Sequence, residues 1–337
     1  MQRPCLLLLP VLALLVAVGP AAAQLPAPVT TSPTPAPKPA PRTKPKPGRM
    51  SIRLGGGLAT KQLRYVLRGQ RVKVVGTVRP FVAGQFATVL VVRKGNVTVR
   101  MRARIRRTRR GRGRFVVRFI ARRRGLLRAV ALHRATYAQA AFRARSKRLR
   151  AVFWSAGQGR GGVRVLLLQR GLRSLGYAVP VTGFYNAGTS RAVMAFRKVN
   201  RMRRIGYAST AVYGKVFRGR GRFKLRFPGA GRHVEFDWSR QVLVLANRGR
   251  AFRVFHASSG KASTPTVFGT FRFYSKTPGT NSKGMVDSNY FIGGYAIHGY
   301  PEVPPYPASH GCIRIPIPNA RFVYNWTPLG MTIFVYR

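Results

Sequence analysis

No aspartate or glutamate occurs before Glu235 in this chain of 337 residues. The four acids, Glu235, Asp237, Asp287 and Glu302, all lie in the last third. A mechanism that needs two carboxylates is therefore excluded from residues 1–234, and so is an acid-rich metal cage. Residues 51–234 carry 46 Lys and Arg, a formal +46, whereas residues 235–337 carry 11 against 4 acids, a formal +7. A hydrophobic share of 45% excludes a wholly disordered chain. The length exceeds one ordinary core of about 100–200 residues, so two or three domains are expected. Two cysteines, Cys5 and Cys312, are too few for a disulfide scaffold, a Cys-rich zinc site or an iron–sulfur centre.

The first 23 residues have the layout of a secretory signal peptide: Arg3, an apolar run from Leu6 to Val18, then the small residues Gly19 to Ala23 around Pro20. The run is short for a membrane-spanning helix of about 20 residues, so cleavage is expected rather than a retained anchor. Cleavage would remove Cys5 and leave Cys312 as the one thiol of an exported chain. Residues 24–50 follow as a linker, with nine prolines between positions 26 and 47. Such a segment is extended and semi-rigid.

Residues 51–152 read as strands. Arg71 to Val78 alternates, with Val72, Val74, Gly76 and Val78 on one side. Phe86 to Val92, Val97 to Ile105 and Phe115 to Ile120 are further β-prone runs, punctuated by Gly111 and Gly113. The pattern resembles a bacterial immunoglobulin-like β-sandwich module. His133 and His256 sit in apolar, strand-like runs and are read as structural; His233, at a domain junction, is given no role.

The period changes over 158–218. Val165, Leu168, Leu172 and Leu175 fall on one helical face, and Thr189, Ala192, Val193 and Phe196 fall on another. Gly176 can end the first helix, and a shorter third helix follows Ser209. Leu168-Gln169, Leu175-Gly176-Tyr177, Val181-Thr182-Gly183-Phe184 and Thr189 to Phe196 together resemble a three-helix peptidoglycan-binding domain. Thr182 departs from the pattern, which usually has Asp before that glycine.

From residue 232 strands return: Val242 to Leu245, Ala251 to His256, Val267 to Phe273 and Met331 to Tyr336. The densest constellation is Ile297-His298-Gly299 followed by Ser309-His310-Gly311-Cys312-Ile313-Arg314. A thiol with its ordinary pKa near 8.5 is mostly protonated at pH 7. A nearby His can take its proton, and an electropositive site should lower its pKa. Gly311 lets backbone approach a substrate, and N–H groups near Gly311 and Cys312 could form an oxyanion hole. Arg314 offers a fork for a carboxylate. Ser309 either orients a histidine or caps a turn.

These residues, over about 232–337, resemble the YkuD-type L,D-transpeptidases. Ser258 to Gly260, Thr264 to Thr266 and the run from Met285 to Gly294 support the resemblance. It implies a mainly β, sandwich-like catalytic domain within a multidomain chain. It also implies Cys312 as nucleophile and His298 as proton acceptor and donor, supported by Gly311, His310, Ser309 and Gly299. Arg314 and Tyr290 are then substrate-binding candidates. The implied substrate is a peptidoglycan stem peptide, cut after its third residue and rejoined as a 3→3 cross-link. If water takes the acyl group, the product is that of an L,D-carboxypeptidase. No metal or cofactor is expected. The segment from Pro301 to Ala308, with four prolines, should form a stiff lid.

The charge of residues 51–234 suits phosphates, as in the clusters Arg106-Arg107-Thr108-Arg109-Arg110 and Arg122 to Arg124. A nucleic-acid-binding protein and a non-catalytic wall-adhesion protein are the rival classes. The signal segment places these arginines outside the cell. Anionic wall polymers are therefore the expected partner, with no nucleic acid and no membrane after cleavage.

Overall fold

Alternation at period two organises the N-terminal module in the computed structural model, which describes residues 44–337. The signal segment and most of the Pro-rich linker lie outside the described residues. Eleven strands follow: β1 (Arg49–Gly55), β2 (Leu58–Ala59), β3 (Arg64–Leu67), β4 (Arg71–Arg79), β5 (Phe86–Arg93), β6 (Asn96–Arg104), β7 (Arg106–Arg107), β8 (Gly113–Ile120), β9 (Gly125–His133), β10 (Phe142–Arg145) and β11 (Leu149–Val152). β1 begins at Arg49, so the last two residues expected in the linker belong to the sandwich.

One sheet has the order β1-β4-β8-β7, the other β2-β3-β11-β9-β5-β6 with β10 also on β9. Val72, Val74 and Val78 of β4 lie beside Phe115, Val117 and Phe119 of β8 and together face Val89 and Val91 of β5 in one buried core. Their neighbours along each strand are mostly Arg, Lys or Thr turned outward, which is how so basic a segment still buries an apolar layer. Gly76 is required on β4, because a Cβ there would lie 2.0 Å from the Phe115 ring. His133 is buried and bonded through Nε2 to Gln85 Oε1 at 2.6 Å and through Nδ1 to the Ala140 carbonyl at 3.2 Å, a structural role.

Three helices come next: α1 (Val163–Ser174), α2 (Ala187–Val199) and α3 (Thr210–Phe217). α1 ends in a Schellman motif. Gly176 takes φ +96°, the Tyr177 N–H donates to the Leu172 carbonyl at 3.0 Å, and the Gly176 N–H donates to that of Arg173 at 3.0 Å. α2 starts at Asn186, whose side chain accepts the Thr189 N–H at 3.0 Å, a cap worth about 1 kcal/mol. Thr182 closes its own turn, its Oγ1 accepting the Phe184 N–H at 3.2 Å. Gln169 Oε1 takes the Thr182 and Gly183 N–H groups at 3.0 and 2.8 Å.

The C-terminal module contains β12 (His233–Asp237), β13 (Val242–Asn247), β14 (Arg250–His256), β15 (Gly269–Arg272), β16 (Ser275–Thr280), β17 (Val286–Ile292), β18 (Tyr295–Tyr300), β19 (Ile313–Pro316), α4 (Ile317–Trp326) and β20 (Thr332–Tyr336). A five-stranded sheet of order β14-β13-β12-β20-β15 stacks on a four-stranded sheet of order β16-β17-β18-β19. The core between them holds Val234, Phe236, Leu243, Phe255, Phe291, Ile297, Ile313, Ile315 and Ile333. The strand expected over Val267 to Phe273 is shorter, covering Gly269–Arg272. α4 has no counterpart in the sequence reading; Pro316 is its N-cap and Pro318 lies in its first turn.

The helical module is not a separate bead. One apolar cluster joins Val165, Leu168, Leu172, Tyr177 and Phe196 to Val242, Val244, Ala251 and Val254 of the C-terminal module. Leu67 and Val152 of the sandwich join the same cluster. Two bonds seal the junction, Val254 N–H to Gly176 O at 2.9 Å and Ala178 N–H to Val254 O at 3.1 Å.

Candidate active site

β18 and β19 run parallel, with Ile297 opposite Ile313 and His298 opposite Arg314. Ile297, Ile313 and Ile315 point into the core. Because successive side chains alternate, His298 and Arg314 point away from it, on the same side as Ala296 and as Cys312, which immediately precedes β19. Tyr290 on β17 is opposite Ala296 and shares that face. The topology thus gathers Cys312, His298, Arg314 and Tyr290 from three adjacent strands. Cys312 and His298 are diagonal neighbours, a relation that spans roughly 7–8 Å between backbones and brings longer side chains within reach.

His298 is buried, and its Nδ1 meets the Gly299 carbonyl at 2.9 Å. A carbonyl can only accept, so Nδ1 carries the proton and Nε2 keeps its lone pair. Burial lowers the ring's pKa to about 4, opposed by the Gly299 carbonyl and reinforced by Arg314. The imidazole is therefore neutral at pH 7. Its orienting partner is a backbone carbonyl rather than a carboxylate. Three of the four acids are tied up elsewhere: Glu235 accepts Tyr336 OH at 2.6 Å, Asp237 pairs with Arg240, and Asp287 pairs with Arg321 at 2.8 Å.

Cys312 is half-buried and free. Its Sγ accepts the Ala296 N–H at 3.4 Å and lies 3.7 Å from the Gly294 carbonyl oxygen. Burial raises the thiol pKa, while the Ala296 N–H, Arg314 and Lys283 pull it down more weakly. This corrects the sequence expectation of a thiol lowered by an electropositive site, because desolvation outweighs the nearby cations. The resting pair is thiol and neutral imidazole.

The bend before Cys312 is built by Ser309. Its Oγ donates to the Cys312 carbonyl at 2.6 Å and accepts the Gly311 N–H at 3.1 Å. Ser309 therefore caps a turn and orients no histidine. The same bond corrects the expected oxyanion hole: the Gly311 N–H is turned to Ser309, which leaves the Cys312 N–H as the donor next to the sulfur. Gly311 sits at φ +118°, and a Cβ there would lie 2.0 Å from the Tyr295 ring, so close packing and backbone conformation both require glycine. Gly299 serves packing as well, since a Cβ would lie 2.7 Å from Ala320 on α4. His310 is exposed on the bend, so the segment is not the extended strand that would align His310 with the thiol.

The loop from Ser258 to Thr266 props this bend from below. The Ser309 N–H donates to Ser259 O at 2.9 Å, Thr264 Oγ1 donates to Ser309 O at 3.2 Å, and Thr266 Oγ1 donates to Gly311 O at 2.7 Å. Arg314 is half-exposed, with its guanidinium carbon 4.0 Å from the centroid of the Tyr300 ring. The Tyr290 hydroxyl is 3.4 Å from Asn281 Nδ2.

Sequence reasoning missed how the lid is held. His256 Nε2 donates to Val303 O at 2.7 Å, Ser258 Oγ donates to Tyr306 O at 2.6 Å, and Arg204 Nη1 donates to Pro305 O at 2.8 Å. Behind His256 lies Lys198 of α2, with Nζ 2.8 Å from His256 Nδ1, 2.9 Å from Gln241 O and 2.9 Å from Ala257 O. Three acceptors match the three donors of an ammonium group. Burial, with Arg204 nearby, pulls the lysine pKa well down, and burial takes His256 to about 3. No sequence signal distinguishes Lys198 from an ordinary helix-surface lysine.

The L,D-transpeptidase catalytic domain model of the YkuD family matches residues 231–335, and a peptidoglycan binding domain model matches residues 161–215. A crystal structure of the L,D-transpeptidase from Xylanimonas cellulosilytica is 32% identical, with 55% of this chain covering 98% of that one at a TM-score of 0.51. The chain belongs to the L,D-transpeptidase family. A second L,D-transpeptidase structure, from Stackebrandtia nassauensis, is 22% identical over 54% of this chain and 95% of that one, at a TM-score of 0.35. No curated protein matches significantly. The β-rich transpeptidase domain and the helical peptidoglycan-binding module of the sequence reading are thus both members of known families.

Proposed function

We propose that this transpeptidase is exported and joins peptidoglycan stem peptides through a thioester on Cys312. The observation that carries the reading is the placement of Cys312 and His298 on one face of adjacent parallel strands, with His298 Nε2 free to accept a proton. As Sγ attacks the carbonyl carbon of the third stem residue, the thiol proton passes to His298 Nε2. The imidazolium is stabilised by the Gly299 carbonyl at Nδ1, and the Cys312 N–H meets the oxyanion. The C–N bond to the fourth residue then breaks, and its nitrogen leaves with the proton from His298. An amine of a second stem attacks the thioester, gives its proton to His298 and restores the thiol as the new amide forms. Arg314 and Tyr290 line the face on which the stem lies.

A buried pair suits this sequence, because the proton moves only when substrate excludes water and the tetrahedral centre forms. Incubation of the chain with disaccharide-tetrapeptides, followed by mass spectrometry of the products, should yield 3→3-linked dimers. Tripeptide without dimers would instead make it an L,D-carboxypeptidase. The basic residues 51–234 are proposed to hold the enzyme on anionic wall polymers.

A further inference from the structure

Two cavities lie between α2 and the transpeptidase domain. The first, of about 370 Å³, is lined by Ser190, Arg191 and Met194 of α2, by His256, and by Tyr300 and Val303 at the start of the lid. The second, of about 350 Å³, is lined by Asn186 and Gly188 at the start of α2, by Arg191, Arg253 and Phe255, and by Phe322 of α4. They meet at Arg191 and Pro318, which line both. Neither is lined by an aspartate or glutamate; Glu302, between Pro301 and Val303, is exposed to solvent.

Arg191 is the centre of this cleft. Its side chain is half-buried, and its Nε is buried with no hydrogen-bond partner among the described residues, so an outside ligand would meet the guanidinium at its Nη groups. Burial pulls down the pKa of Arg191 and of Arg253, so both cations are partly desolvated and neither has a paired carboxylate. A guanidinium held in that state is suited to an anion supplied from outside, most of all a planar carboxylate. The cleft adjoins the reaction face through one shared wall residue, Tyr300. Tyr300 lines the first cavity, carries Arg314 4.0 Å above its ring, and has its ring centroid 5.7 Å from that of His298. The cleft's walls are fixed relative to one another by the Lys198 and Arg204 bonds and by the shared apolar core.

We propose that this cleft is a second substrate-binding site, in which Arg191 receives a free carboxylate of the peptidoglycan stem peptide. The inference rests on the stem-peptide reading above. It makes the helical module part of the substrate groove rather than a tether alone.

The test is equilibrium binding of a disaccharide-tetrapeptide to the full chain carrying Cys312→Ser, which removes turnover from the measurement. Adding Arg191→Gln should weaken binding by about tenfold or more, as the loss of one charge-assisted bond requires. Arg191→Lys should recover part of that loss. The same peptide with its carboxylates amidated should bind weakly, and its binding should not respond to Arg191→Gln. Affinity within twofold of the parent for Arg191→Gln, or an equal loss for the amidated peptide, would overturn the site. A thermal melt of Arg191→Gln matching the parent excludes misfolding; if it does not match, Arg191→Lys with native and amidated peptides decides the same question. Failure of the function reading looks different: the chain with intact Cys312 would form no dimer, no tripeptide and no acyl adduct, whatever residue 191 is.

Discussion

At the residue scale, the proposed site pairs a thiol and an imidazole that are both neutral at rest. His298→Ala should slow acylation of Cys312 by a carbapenem about 10²–10⁴-fold, the usual loss with a general base. His310→Ala should cost much less, since that ring is exposed on the bend. Intact-mass spectrometry against time measures both rates, and the reverse ranking would transfer the base role to His310. The histidines also set an acid limit on stability. Both His298 and His256 bind a proton more weakly in the fold than the ordinary value of 6.5, at about 4 and about 3. The unfolded chain therefore takes up more protons as pH falls. The contribution of these two histidines to stability should be full above about pH 6.5 and be lost progressively towards pH 4 and below. Thermal melts from pH 8 to 4 check this, and His256→Gln should flatten part of the slope. The two neutral histidines were partly legible. The sequence marked His298 by its neighbours and His256 by its apolar run, but burial, which decides their protonation, depends on packing against residues far away in the chain.

At the element scale, α2 is fastened to the transpeptidase domain through Lys198. Lys198 satisfies two carbonyls and the imidazole that holds the lid. Lys198→Met would leave those acceptors unpaired and should cost about 2–4 kcal/mol. Because the helical and transpeptidase modules share one apolar core, urea should unfold them in a single transition measured by tryptophan fluorescence and circular dichroism. Two separated transitions would show that the interface is weak. Much of the element structure was readable: period-two runs at Arg71, Phe86 and Phe115 became β4, β5 and β8, and the faces through Leu168 and Ala192 became α1 and α2. α4 was not: Pro316 at its N-cap and Pro318 in its first turn interrupt the local pattern, and the helix is held by the burial of Ala320 and Val323. The Ser309 clip was legible only as one of two readings, and the Thr266 prop not at all, for a related reason. Each joins a hydroxyl to a carbonyl, and hydroxyls give no periodic signal.

At the scale of the whole molecule, charge and chemistry are separated along the chain. The sandwich and helical module carry +46 over residues 51–234, and the transpeptidase domain from Glu235 carries +7. Exposed charges of this kind act over a Debye length of about 10 Å at 0.1 M salt. Retention of the full chain on isolated sacculi should therefore fall steeply as salt rises, and a pull-down across a salt series measures it. Salt-insensitive retention would assign the binding to glycan contacts of the helical module. Tighter binding to duplex DNA than to sacculi would return the basic region to the nucleic-acid class. None of these outcomes bears on the thiol itself. The most direct test of the acyl-transfer chemistry is the intact mass of the enzyme after brief incubation with disaccharide-tetrapeptide. Wild type should carry one adduct, on Cys312, equal to the stem cut after its third residue, and Cys312→Ala should carry none and form no product. Dimer or tripeptide formed by Cys312→Ala at the wild-type rate would contradict it.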